Sequence, residues 1–310
     1  MSGAEPTSVV GPAPVAEPVT PFGARLAAAM DAHGPLCVGI DPHASLLQAW
    51  GLPDDAAGLR EFSLRVVDAL GGKVAAFKPQ SAFFERHGSR GLAVLEEVIA
   101  ASRAAGTLTV VDAKRGDIGS TMGAYADAFL ADGSPLAGDA VTVSPYLGFG
   151  SLQPAVELAT ATGRGLFVLC LTSNKEGFEV QHARTSGGAA GADGGRAAGG
   201  TVAALMAAHA AELNAGAEPL GSVGLVVGAT IGDAVAATGT DLVAVNGALL
   251  APGVGAQGAG ERELATAFGA ARRNVLASSS RAVLAAGPGA DSLLSAAAAA
   301  VRETRAALRG

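Results

Sequence analysis

Basic charge is scarce in this chain: 21 Lys and Arg stand against 28 Asp and Glu, a formal net charge of −7. With no basic block in any segment, a sequence-independent grip on nucleic acid or on an anionic membrane surface has no electrostatic basis. Cysteine is nearly absent. Cys37 and Cys170 lie far apart inside apolar runs, and no C-x-x-C or H-E-x-x-H pattern occurs, which argues against a disulfide framework and the common zinc sites. No apolar run reaches the roughly 18 uninterrupted residues of a membrane span. The first twenty residues lack the positive start and unbroken apolar stretch of a secretory signal. They read as a flexible tail, and a reducing cytoplasm is the expected setting. Charged residues make up only 16% of the chain and aromatics 4%, so each charged cluster calls for an explanation.

What the chain has in quantity is apolar residues, at 49%, and glycine, with 44 in 310 positions. From Leu36 onward one theme recurs: a short apolar or β-branched run, a polar or Gly/Pro turn, then a longer Ala/Leu/Val segment with helical spacing. The expected strands are Leu36–Asp41, Lys73–Pro79, Leu108–Lys114, Ala140–Pro145, Gly165–Leu171, Val223–Thr230, Ala248–Gly253 and Asn274–Ser280. Between them lie helices such as Gly91–Ala105, Thr121–Ala131, Leu152–Ala161, Val202–Ala215 and Leu264–Arg272, with Asp291–Arg309 closing the chain. Strands so uniformly apolar are buried on both faces, as parallel strands require. Eight such units predict an α/β fold, a single (β/α)8 barrel over residues 21–310 with a tail over 1–20. Residues 175–200 break the rhythm with a Gly-rich stretch and read as an insertion after the fifth strand.

Active sites of such barrels form where strands end. Here the first strand ends in Asp41, the second in Lys78, the third in Asp112-Ala-Lys114-Arg-Gly-Asp117, and the eighth in Ser278-Ser-Ser-Arg281. Alternate side chains of a strand share a face, so Asp112 and Lys114 are expected in the barrel mouth together and Ala113 outside it. Lys78, Asp112, Lys114 and Asp117 then form a row of alternating sign. The plain alternative is a structural ion network at the barrel rim. At the other end of the site, Gly253, Gly255 and Gly258 would let backbone amides approach an oxyanion, with Gln257 as a further donor and Arg281 as a bidentate fork. The same glycines satisfy G-x-G-x-x-G, but late in the chain and with Ser278 where an acidic ribose partner would be sought. They could equally serve only a tight turn.

Phe77-Lys78-Pro79-Gln80 with Asp112-Ala-Lys114-Arg-Gly-Asp117-Ile118, together with Thr172-Ser173-Asn174 and Pro252-Gly-Val-Gly-Ala-Gln257-Gly, resembles the orotidine 5′-phosphate decarboxylases in their longer bacterial form. The resemblance runs from Asp41 to Arg281. It implies decarboxylation of orotidine 5′-phosphate to uridine 5′-phosphate, a step of pyrimidine synthesis, without metal or cofactor. Lys114 would be the proton donor, Asp112 would face the substrate carboxylate, and Lys78 and Asp117 would complete the network at the ribose hydroxyls. Asp41 would hold the ribose, Ser173 the pyrimidine, and Gln257 with Arg281 the phosphate. Asp117 and Thr121 would reach into the neighbouring subunit's site, implying a homodimer. Asn174-Lys175-Glu176-Gly177 departs from the commoner Pro-Gly continuation, which bears on the Ser173 match.

Three competing functions remain open at this stage: a metal-dependent relative acting on a sugar-phosphate keto acid, a Schiff-base aldolase using a barrel lysine, and a non-catalytic nucleotide-binding barrel. Trp50, Phe83 and Phe84 read as packing residues, Pro145 and Tyr146 as shaping the mouth, His43 as a simple polar contact in a βα loop beside the site, and Asn246 as a polar cap or a turn residue.

Overall fold

The computed structural model describes residues 19–186, 200–254 and 259–309. Eight parallel strands close on themselves in chain order: β1 Leu36–Ile40, β2 Ala76–Pro79, β3 Leu108–Arg115, β4 Ala140–Val143, β5 Gly165–Leu171, β6 Gly221–Val227, β7 Gly247–Pro252 and β8 Val275–Ser279. Every expected strand is present. The second begins at Ala76 instead of Lys73, because Lys73 to Ala75 still belong to the turn leaving the preceding helix.

The chain enters through α1 (Phe22–His33). After β1 come α2 (Ala44–Ala49) and α3 (Ala56–Leu70), and after β2 come α4 (Ser81–Glu85) and α5 (Gly88–Ala104). Single helices follow β3 and β4, namely α6 (Gly119–Leu130) and α7 (Gln153–Ala161). β5 is followed by the short α8 (Phe178–Gln181) and then α9 (Val202–Leu213). The circuit ends with α10 (Ala234–Thr238), α11 (Glu261–Phe268), α12 (Arg281–Leu284) and α13 (Ala290–Arg309). Caps fix where several of them start. Asp55 Oδ1 accepts from the backbone N–H groups of Ala57 and Gly58, each at 2.9 Å, and opens α3. Thr201 opens α9 by accepting from Ala204 N–H at 3.2 Å.

Apolar side chains form two layers. One lies between strands and helices, where Leu59, Phe62, Phe84 and Leu95 are fully buried. The other fills the barrel interior with Cys37, Ala76, Val110, Phe167, Leu250 and Leu276. Phe167 fits because position 224 is glycine: a Cβ there would lie 2.6 Å from its ring. Below, α1 stoppers the N-terminal end. Phe22 meets Phe167 edge-on at 5.9 Å between centroids and rests where a Cβ on Gly165 would be, 2.1 Å from its ring. Arg25 ties the same helix to Asp139 and to the Gly163 carbonyl. With the lower end stoppered, the upper rim is left for chemistry.

Candidate active site

At the upper end of β3 the ladder with β4 slips. Between the pairs Val111–Val141 and Arg115–Val143, β3 advances four residues and β4 two. The regular ladder of β3 with β4 therefore stops after Val111. Lys114 takes a left-handed φ of +50°, a conformation that persists in a side-chain-bearing residue only where neighbours hold it. They do so at both ends of the residue. Its N–H donates to Thr142 Oγ1 at 2.9 Å, and its ammonium donates to Asp112 Oδ1 at 2.5 Å. Thr142 in turn donates to the same carboxylate oxygen at 2.9 Å. Ala113 packs into the strand–helix layer, as alternation predicts.

Lys78 arrives from β2 and donates to Asp112 Oδ2 at 2.9 Å. One carboxylate is thus clamped between two ammonium groups. Asp112 and Lys78 are 8% and 5% exposed, whereas the Lys114 side chain is 44% exposed, so the outer lysine is the one a ligand can reach. Burial alone would raise the Asp112 pKa, but the two ammonium groups beside it hold the carboxyl well below the usual carboxylate range. Burial would likewise depress Lys78, yet the charges of Asp41 and Asp112 keep it above the usual lysine value. Two unit charges about 4 Å apart attract by about 4 kcal/mol at an effective dielectric near 20, enough to keep such a clamp charged. Beneath it, burial pushes the Cys37 thiol up to about 12, which leaves it an inert packing group.

Asp41, just past β1, is 8% exposed, and its Oδ1 is buried with no hydrogen-bond partner among the described residues. Gly39 beneath it has no room for a side chain: a Cβ would lie 2.8 Å from Ser280 Cβ and 2.9 Å from Asp41 Oδ2. That close approach brings the end of β8 against β1. Beside it a cavity of about 340 Å³ is lined by Gly253, Val254, Ser278, Ser280 and Arg281. Arg281 is exposed at the start of α12 and has no ion-pair partner among the described residues. Gln257, Gly255 and Gly258 lie outside the described residues, as do most of the 1–20 tail and residues 187–199 of the insertion.

Asp117 does not join the row expected for it. Its carboxylate accepts from the following Ile118 N–H at 2.8 Å and makes no ion pair within the described residues, because the chain turns away at Gly116, which packs on the Ser144 carbonyl. Thr121 is exposed on α6, and Ser173 is exposed on the loop after β5 with no hydrogen bond to the described residues. Neither reaches the clamp inside this chain. His43 meets Phe83 edge-on at 4.2 Å between centroids, Trp50 donates to the Leu284 carbonyl, and Asn246 is a turn residue at φ +44° that donates to the Ala217 carbonyl.

Sequence reasoning missed two supports of the site. Thr142 is an unremarkable threonine in a run of Ala and Val, and only the pairing of β3 with β4, Val111 on Val141, shows that it stands beside Asp112. Arg115, within the motif, ion-pairs with Glu85 on α4 and lies 5.7 Å from the Tyr125 ring centre and 5.6 Å from that of Phe129, so it anchors the end of β3. Among the described residues no group of three or more His, Cys, Asp or Glu side chains is arranged to hold a metal ion.

Comparison with known proteins meets this geometry. The profile of the Orotidine 5′-phosphate decarboxylase / HUMPS family matches residues 34–295. A Streptomyces coelicolor protein named orotidine 5′-phosphate decarboxylase is 61% identical over 277 residues, covering 89% of this chain and 94% of its own. One of the same name from Nocardioides sp. is 63% identical over 264 residues, covering 85% and 92%. A crystal structure from Streptomyces avermitilis superposes with a TM-score of 0.87 at 62% identity, over 94% of this chain and 97% of that one. The structure of Leishmania donovani OMP decarboxylase gives 0.69 at 31% identity, over 94% and 100%. With a profile spanning the whole barrel and relatives this similar, the chain belongs to the orotidine 5′-phosphate decarboxylase / HUMPS family.

Proposed function

We propose that this chain converts orotidine 5′-phosphate to uridine 5′-phosphate and carbon dioxide, a step of pyrimidine nucleotide synthesis, with Lys114 as proton donor. The observation that carries the reading is the Asp112 carboxylate held between Lys78 and Lys114 at the ends of adjacent strands. Every curated relative cited above bears the decarboxylase name, which favours this member of the family over a metal-dependent one acting on sugar-phosphate keto acids.

The chemistry follows from charge placement. A substrate carboxylate brought beside Asp112 meets a like charge, and that repulsion is relieved as carbon dioxide leaves. The bonding pair stays on the ring carbon. The Lys114 ammonium, already in place, stabilises the developing carbanion and then gives it a proton, leaving a neutral amine that water re-protonates. Thr142 and the Asp112 ion pair fix that ammonium beforehand, so little reorganisation accompanies the step.

Binding is divided along the mouth. Arg281 and the cavity beside it suit the phosphate, with Gln257 from the loop after β7 as a second donor. Asp41, whose buried Oδ1 has no partner of its own, suits a ribose hydroxyl, with Lys78 next to it. Ser173 would face the pyrimidine. Asp117 and Thr121 would complete the site of a second copy, and the exposed Ile118, Tyr146 and Leu147, at 62%, 75% and 54%, suit a dimer face beside them. Residues 21–310 would form one barrel domain with 1–20 as a tail and 175–200 as an insertion. Two buried free thiols suit a reducing cytoplasm, and among the described residues no helix is long and apolar enough to cross a membrane.

The test is a decarboxylation assay with orotidine 5′-phosphate before and after treatment with a chelator. Equal rates are expected. A rate abolished by the chelator and restored by a divalent cation would replace this reading with the metal-dependent one.

A further inference from the structure

The start of the insertion is built into the site's edge. Gln181, at the end of α8, holds Thr172 by both functions of its amide: Oε1 accepts from the Thr172 N–H at 2.9 Å, and Nε2 donates to Thr172 Oγ1 at 2.7 Å. That hydroxyl donates onward to Asn174 Oδ1 at 2.6 Å, and Asn174 donates to Glu176 at 3.2 Å. Glu176 is held below the usual glutamate range by its own backbone N–H and by that amide. Ser173 lies between the two residues so fixed, backed by Gly228, where a Cβ would lie 3.2 Å from the Ser173 nitrogen.

The arrangement leaves no slack. Gly177 passes so near that a Cβ on it would be 3.0 Å from Thr172 Oγ1 and 3.1 Å from each polar atom of the Gln181 amide. Further on, the two arms of the insertion are tied at their base. Thr185 N–H donates to the Gly200 carbonyl, and Val202 N–H to the Ala183 carbonyl, each at 2.9 Å. Thr201 is anchored on the Thr238 carbonyl at 2.6 Å. The described part of the insertion is therefore a braced arm whose inner contact is the loop carrying Ser173.

We infer that Gln181 is a positioning residue for base recognition: its amide fixes Thr172 and so sets Ser173 against the pyrimidine ring. This rests on the reading of Ser173 given above. A carboxamide is required because the site needs an acceptor for an N–H and a donor to a hydroxyl at once. A methionine of similar length supplies neither, and a glutamate supplies only the acceptor.

The test compares binding of uridine 5′-phosphate with that of ribose 5-phosphate, which lacks the base, in Gln181→Met, Gly177→Ala and Ser173→Ala. Losing a hydrogen-bonded contact to the base weakens uridine 5′-phosphate about tenfold in Gln181→Met, with ribose 5-phosphate unchanged within about twofold. Gly177→Ala shifts the same ratio in the same direction, and Gln181→Glu restores part of it. Equal weakening of both ligands would show a merely structural role and overturn the inference. So would a selective loss in Ser173→Ala that Gln181→Met does not share. If Ser173→Ala leaves the ratio unchanged, the Ser173 reading itself fails and the inference falls with it.

Discussion

At the scale of single residues, the site turns on Asp112, whose two oxygens satisfy Lys78, Lys114 and Thr142. Asp112→Asn leaves the 5%-exposed Lys78 facing a neutral amide, and breaking such a buried pair costs about 3–5 kcal/mol. The sign of the pH dependence follows from the shifts. Asp112 is depressed on folding, so its contribution is present above its unfolded pKa of about 3.9 and is lost as pH falls below that value toward the folded one. Lys78 is raised, so its contribution is present below its unfolded pKa of about 10.4 and fades as pH rises past its folded value. Denaturant unfolding should show wild type exceeding Asp112→Asn by a constant amount from about pH 5 to 9, with the gap closing in acid. A gap that widened in acid would contradict the clamp. The motif residues were legible in the sequence because four charges gathered at strand ends in a chain otherwise poor in charge. Thr142 was not, since nothing local distinguishes it. The displacement of Asp117 was not legible either, since it lies past the end of β3, where the turn at Gly116 and not strand alternation sets its direction.

At the scale of elements, the strands were legible nearly throughout, because parallel strands buried on both faces leave uninterrupted apolar runs. α1 was not singled out: it lies before the first strand, outside the repeating theme, and its Ala-rich sequence carries a weak pattern. Its function is visible only in three dimensions, where Phe22 closes the barrel floor against Phe167. Phe22→Ala is expected to cost about 3–5 kcal/mol in thermal or denaturant unfolding, while kcat at a temperature well below the transition stays near wild type. A loss of kcat matching the loss of stability would mean that the floor also shapes the mouth. The insertion after β5 was legible as a break in rhythm, but its bracing through Gln181 was not, because the contact joins residues nine apart across an irregular segment.

At the scale of the whole molecule, one chain holds the clamp, Asp41 and Arg281, while the half-buried Asp117 and the exposed Thr121 lie off the clamp. If Asp117 acts in the partner's site, Lys114→Ala and Asp117→Ala are each deficient alone but complement when mixed. Random reassociation makes half of the dimers hybrids, each with one intact site, so activity should recover to about a quarter of wild type. No recovery after mixing under conditions that exchange subunits would place Asp117 outside any shared site.

The most direct measurement is the turnover of orotidine 5′-phosphate by Lys114→Ala, taken together with its affinity for uridine 5′-phosphate. Removing a group that both stabilises the carbanion and protonates it should lower kcat by about 10³-fold or more, with product binding retained. A variant that still decarboxylates at a rate near wild type would contradict the assignment of Lys114 and, with it, the account of the clamp as the catalytic centre.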